Sequence, residues 1–196
     1  MTDNKIITDR EEMLKAVRDP LQGGGWALKY ASDSLKADRE VVLAAVRNTY
    51  YALQFASDSL KADREVVLEA LKEFGLALQF ADDTLKADRE VVLQAVRGGG
   101  YFNFADDILK ADREFVLEVV RTDGNAFQYA SDTFKADREL VLEAVKRTGG
   151  ALQYADDTLK ADREVVLEAV RNSGYASIHA SEELQNDPEL KKLAEG

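Results

Sequence analysis

One six-residue pattern returns along the chain at nearly constant distance. The string Asp-Arg-Glu-apolar-apolar-Leu begins at Asp38, Asp63, Asp88, Asp112, Asp137 and Asp162, with a variant at Asp9 and a fragment at Asp187. The successive intervals are 29, 25, 25, 24, 25, 25 and 25 residues. A unit of about 25 residues is too short to enclose its own apolar side chains and is stable only when stacked on copies of itself. The period therefore implies a tandem array of seven units over residues 9–186, starting near 9, 38, 63, 88, 112, 137 and 162. Residues 1–8 read as an N-terminal cap segment and 187–196 as a C-terminal capping helix.

Within a unit the pattern specifies helices. The aspartate is a favourable N-cap, and the glutamate two places on puts negative charge in the first turn, where the helix dipole favours it. A helix is expected from there to the recurrent cation at its end: Arg18, Arg47, Lys72, Arg97, Arg121, Lys146 or Arg171. Glu139, Glu143 and Lys146 form one polar stripe at helical spacing, and almost everything else is apolar. A short helix with a single polar stripe must be packed on more than one side, as in a solenoid.

A glycine-containing or polar turn follows, then a second apolar segment such as Ala151–Ala155, expected to be a shorter helix whose alanines allow close approach. The irregular intervals arise between these segments, around residues 19–25 and near Gly100, which marks the connection as a surface loop. The first Asp or Ser of the next stretch, Asp156 for example, can cap one further turn. The fold class is all-α: an α-solenoid of about seven two-helix repeats with polar terminal caps. Glu12 replaces the first apolar residue in the opening unit, and Pro188 and Lys191-Lys192 alter the closing one, so the array is expected to be complete.

The string DREVVLxAVR, a glycine-containing turn and then ALQYAS/D-D-x-L-K-x-D, carried by Asp63–Lys86, Asp137–Lys160 and their sister units, resembles the bacterial and protist repeat family catalogued as a domain of unknown function, DUF4116. The resemblance covers about residues 9 to 187. It implies a helical repeat fold and little about activity; such repeats look like modules of larger intracellular or host-directed proteins. The 29-residue first interval and Ser177 and His179 in the last unit depart from the pattern.

Charge narrows the choice of partner. With 26 Lys and Arg against 37 Asp and Glu, the net charge is −11, the wrong sign for gripping a phosphate backbone. Nucleic acid is not expected as a partner. Zero cysteines exclude disulfides and thiolate metal sites and fit a reducing compartment. No apolar run approaches the roughly 20 residues needed to cross a bilayer, nor is there an apolar leader, so the expected setting is cytoplasmic, away from membranes.

Few residues invite a chemical reading. The acidic column Asp33, Asp58, Asp83, Asp107, Asp132, Asp157 and Glu182, doubled at 82–83, 106–107 and 156–157, lacks the ligand spacing and central glycine of a calcium loop. Its recurrence in every unit favours capping. His179, the only histidine, occupies an aromatic column (Tyr30, Phe55, Phe80, Phe104, Tyr129, Tyr154) and reads as an end-cap substitution without a catalytic partner. The glycine runs 23–25 and 98–100 lack the flanking motif of a phosphate cradle and read as positive-φ turn residues. Neither an enzyme activity nor a cofactor or metal is expected.

Two columns remain for recognition. Gln54, Gln79, Asn103, Gln128 and Gln153 form an amide stripe that is either solvated or lines a concave face, bonding its neighbours or an extended peptide. Trp26, Tyr50, Tyr51, Phe74, Leu76, Tyr101 and Tyr175 lie just before the second helix, whereas Asn125 and Gly150 interrupt the column. They read either as staples fixing that helix or as an exposed binding edge. The expected function is a non-catalytic scaffold holding a protein or peptide, one with a basic patch. The alternative is a purely structural or self-associating repeat, natural or designed, with no partner.

Overall fold

The computed structural model describes residues 6–72, 74–99 and 102–195. Among them every regular element is helical, apart from one isolated parallel bridge between Ile7 and Ala31. The chain divides into two compact units, 1–105 and 106–196, each a run of stacked helical repeats of the α-solenoid kind.

One repeat of the second unit shows how the sequence makes its elements. Asp137 is extended, and its Oδ1 accepts the Leu140 N–H at 3.1 Å, starting the ten-residue helix Arg138–Arg147. Thr148, also extended, ends it. A 3₁₀ helix, Gly149–Tyr154, follows and stops at extended Ala155. Asp156 then caps the single α-turn Asp157–Lys160 through the Thr158 N–H, leading to the next cap, Asp162. The second helix of the unit is therefore present, but wound as 3₁₀. Six residues are too few for a useful α-ladder, and i→i+3 bonding satisfies more of so short a segment. The glutamine side chain adds a bond of the same span, from Gln153 Nε2 to the Gly150 carbonyl at 3.1 Å.

Packing is two-sided, as the single polar stripe requires. The Arg138–Arg147 helix lies against both Arg113–Thr122 and Arg163–Asn172; in the first unit Arg39–Asn48 lies against both Arg10–Arg18 and Arg64–Leu71. The valine pair and the following small-apolar pair, such as Val165, Val166, Ala169 and Val170, are buried. The leucine of the recurring string is less constant: Leu93 and Leu117 are buried, while Leu43, Leu68 and Leu167 are half-buried.

The glycines divide into two kinds. Positive φ occurs at Gly23, Gly24 and Gly99 among the described residues, in line with the turn reading of the two runs; Gly100 lies outside the described residues. Gly98, at φ −81°, departs from that reading, and so does Gly25, which with Gly124, Gly149 and Gly174 serves a different purpose. A Cβ on any of these four would fall 2.4 to 2.6 Å from the carbonyl oxygen of Ala45, Ala144, Ala169 or Ala194 in the following long helix. These four repeats are thus seated on the next through a spot with no room for a side chain. The Gly149 N–H also donates to Asn172 Oδ1 at 2.7 Å, and the Gly25 N–H to Asn48 Oδ1 at 3.0 Å.

Tyr50 stands in this glycine column. Its ring is buried against Phe74, and the helix that follows, Arg64–Leu71, has eight residues where Arg39–Asn48 has ten. At the chain ends, Ile7 exchanges backbone bonds with Tyr30 and Ser32, and Asp187 caps the Pro188–Glu195 helix through the Glu189 and Leu190 N–H groups. Residues 1–5 of the anticipated N-terminal cap segment lie outside the described residues.

Gly149 and Gly150 provide a matched test. Gly149→Ala must displace a helix carbonyl and is expected to cost about 1 to 3 kcal/mol, whereas Gly150→Ala meets nothing within 4 Å and is expected to be neutral or slightly stabilising. Urea denaturation of the two variants measures the difference; equal costs would contradict the close-approach role.

Candidate functional site

The junction between repeats fixes which side chains remain available. In the first unit Arg39 Nε donates to Asp63 Oδ2 at 2.9 Å and its guanidinium also pairs with Glu65. Arg113 pairs in the same way with Asp137 and Glu139 at 2.7 and 2.6 Å, and Arg138 with Asp162 and Glu164 at 2.8 and 2.5 Å. Arg10 with Asp38 and Glu40, Arg64 with Asp88 and Glu90, and Arg163 with Asp187 and Glu189 are paired alike. The aspartate has two duties. One oxygen caps its own helix while the other receives the arginine of the preceding repeat. Sequence reasoning found the cap and the first-turn glutamate but missed the arginine, whose signal was its constancy at an outward position.

A backbone bond accompanies each described arginine junction within a unit. The N–H groups of Ser57, Asp82, Ser131, Asp156 and Ser181 donate to the carbonyls of Lys36, Lys61, Lys110, Lys135 and Lys160, and at the first junction that of Ser32 donates to Ile7, at 2.8 to 3.0 Å. The acidic column lies just beyond these amides. Asp58, Asp83, Asp107 and Asp157 are well exposed and pair with the lysine three residues on, while Asp82, Asp106 and Asp156 cap their turns. Among the described residues no group of three or more His, Cys, Asp and Glu is arranged to hold a metal ion.

The amide column turns out to be locally engaged. Gln54, Gln79, Gln128 and Gln153 each donate to the carbonyl three residues earlier, at 3.0 to 3.1 Å. Gln128 is also met from the next repeat, where Tyr154 OH donates to its Oε1 at 3.3 Å. Each of these glutamines braces its own 3₁₀ helix, because the side chain reaches its own backbone at little entropic cost. Asn103, one carbon shorter, is exposed.

The aromatic column is connected across repeats of the first unit. Trp26 stacks on Tyr51 with centroids 5.4 Å apart and also meets Phe55 at 6.0 Å. Tyr51 touches Tyr50 at 4.2 Å and Phe80 at 5.9 Å, and Tyr50 touches Phe74 at 5.1 Å. These rings pack on their neighbours in adjacent repeats, yet Trp26 keeps 48%, Tyr51 36% and Phe74 53% of its surface exposed. Tyr50 is buried, which pushes its phenol up to about 12, and Leu76 is half-buried. Tyr101 lies outside the described residues. In the second unit Tyr175 is 69% exposed and meets His179 edge-on at 6.0 Å; burial lowers the imidazole's basicity.

The family model described as "Domain of unknown function (DUF4116)" matches residues 9–61, 63–110, 97–135, 112–160, 137–185 and 162–194. No curated protein and no solved structure gives a match. No helix among the described residues is long and apolar enough to cross a membrane.

The junction pairs have a pH signature. Arg138 beside Asp162 holds that carboxyl below the usual carboxylate range, as Arg113 does for Asp137 and Arg10 for Asp38. A depressed folded value means that the pair's contribution is full above the unfolded Asp value of about 3.9 and is lost as pH falls through the folded one. Arg138→Gln is therefore expected to melt below the natural chain at pH 7, with the gap closing below about pH 4. Calorimetry across that range checks it; a gap that is constant with pH would contradict the pairing.

Proposed function

We propose that this chain, which belongs to the DUF4116 family, is a non-catalytic helical repeat scaffold that binds a protein or peptide along the aromatic edge of its first unit. The observation that carries the reading is the connected, half-exposed set Trp26, Tyr51 and Phe74. Rings that serve only as staples bury themselves against their own helix; these run from repeat to repeat and leave large faces in water. Aromatic side chains of this kind dominate binding energetics, because they present wide apolar area with little conformational entropy to lose. Contiguous exposed apolar surface on a folded chain is a mark of an interaction site. A cytoplasmic setting belongs to the same proposal, supported by a composition without cysteine, which fits a reducing compartment.

Selection from a phage-displayed library of random peptides tests the reading. The natural chain is expected to enrich a peptide pool that the double variant Trp26→Ala, Tyr51→Ala no longer captures, while circular dichroism shows the variant still helical. Enrichment of the same pool by the folded double variant would overturn the aromatic edge as the binding surface.

A further inference from the structure

The aromatic edge of the first unit runs directly into an acidic cleft. Tyr51 touches Phe80, and Phe80 forms one wall of a cleft of about 350 Å³ between consecutive repeats. Gln54 and Gln79 line it, with the carboxylates of Asp58, Asp82 and Asp83 around it. Lys61 also lines the cleft and lies 3.7 Å from Asp58, and Lys86 pairs with Asp83 at 3.0 Å, so the three carboxylates outnumber the two lysines beside them. The Thr84 hydroxyl and N–H both donate to Asp82 and hold its carboxyl below the usual carboxylate range.

The second unit shows what the same place in the repeat accepts. There Lys135, the counterpart of Lys61, turns inward and donates to the carbonyls of Phe127 and Gln128 at 2.6 and 3.1 Å. Its ammonium sits 4.6 Å from the centroid of the Phe127 ring and 5.9 Å from that of Tyr154, the counterpart of Phe80. Phe127 corresponds to Leu53 in the first unit, where the lysine lacks that inner ring and pairs outward with Asp58. The repeat thus builds a cation seat against an aromatic face. In the second unit the chain's own lysine fills it; in the first, carboxylates and the outer ring face solvent.

We infer that the cleft at Phe80, Asp82 and Asp83 takes the arginine side chain of a basic peptide whose neighbouring apolar residue lies on Trp26 and Tyr51. The inference rests on the peptide-binding reading and specifies its partner. Arginine fits better than lysine, since a guanidinium stacks flat on an aromatic ring while donating two bonds to a carboxylate. The net charge of −11 supplies long-range attraction for such a segment and none for an acidic one.

Trp26 is the only tryptophan, so its emission reports on the edge without a label. The probe is a synthetic peptide alternating arginine, serine and leucine, compared with peptides of the same length carrying lysine, citrulline or glutamate at the arginine positions. Saturable change in Trp26 emission is expected with the arginine peptide, weaker with lysine and weakest with glutamate. Asp82→Asn together with Asp83→Asn keeps a good N-cap and is expected to weaken the arginine peptide by about tenfold or more, whereas Asp156→Asn with Asp157→Asn, the counterpart in the second unit, should leave it unchanged. Equal affinity for the citrulline peptide, or no loss in the Asp82 and Asp83 variant, or equal loss in the control variant, overturns the arginine seat. Should the random-peptide pool still depend on Trp26 and Tyr51, the peptide-binding reading survives that result; should no pool be captured at all, both fall.

Discussion

Every element of this chain depends on the seam where one repeat meets the next. A helix of eight to ten residues has little stability alone, since nucleation is costly and a short ladder repays little of it. It gains stability by burying its valines and alanines against a helix on each side. The seam is dense for that reason: a glycine placed where a Cβ would strike the next helix, a backbone bond from the acidic turn to the preceding lysine carbonyl, and an arginine on the next aspartate. The arginine pairs are half-exposed, and isolated surface pairs contribute little. Their value lies in register, because the aspartate they grip is the one that starts the next helix.

This division of labour explains which positions are free to vary. The caps, arginines, valines and seam glycines are committed to stacking in repeat after repeat. The glutamines brace the 3₁₀ helices. What stacking does not dictate is the position that Tyr51, Leu76, Asn125, Gly150 and Tyr175 share as second residue of their 3₁₀ helices, inside the helices and not before them, and the first unit fills it and its surroundings with connected rings. Tyr50 shows the two demands meeting: it takes a glycine position and extends the aromatic set, and the next helix, Arg64–Leu71, is two residues shorter than Arg39–Asn48.

Much of this was legible in the sequence, for reasons that can be named. The period, the aspartate caps, the two-sided burial of the long helix and the extra turn at Asp156 follow from local rules that act over a few residues. The 3₁₀ winding of segments such as Gly149–Tyr154 was not legible, because an alanine-rich stretch reads the same in either helix type and length decides. The arginine seam was missed since its partner lies 24 residues away, a distance at which spacing shows recurrence but not contact. The aromatic column was visible as a column; that Trp26 would lie on a ring of the next repeat, not on its own helix, required the stacking geometry. Likewise the inward turn of Lys135 goes with Phe127 and Phe134 in place of leucines and with the 3₁₀ winding of Asp132–Phe134, changes that no periodicity announces.

The claim that the seam carries the fold is open to one direct measurement, native-state hydrogen exchange of the junction amides of Ser57, Asp82, Ser131, Asp156 and Ser181. Each lies at the start of an exposed acidic turn, where an amide free of the stack would exchange rapidly. The account predicts that they exchange as slowly as the core amides of the adjoining long helices, such as Val67 and Val141, and in the same cooperative opening. Exchange of these amides at the rate of exposed turns, with the long helices still protected, would contradict it.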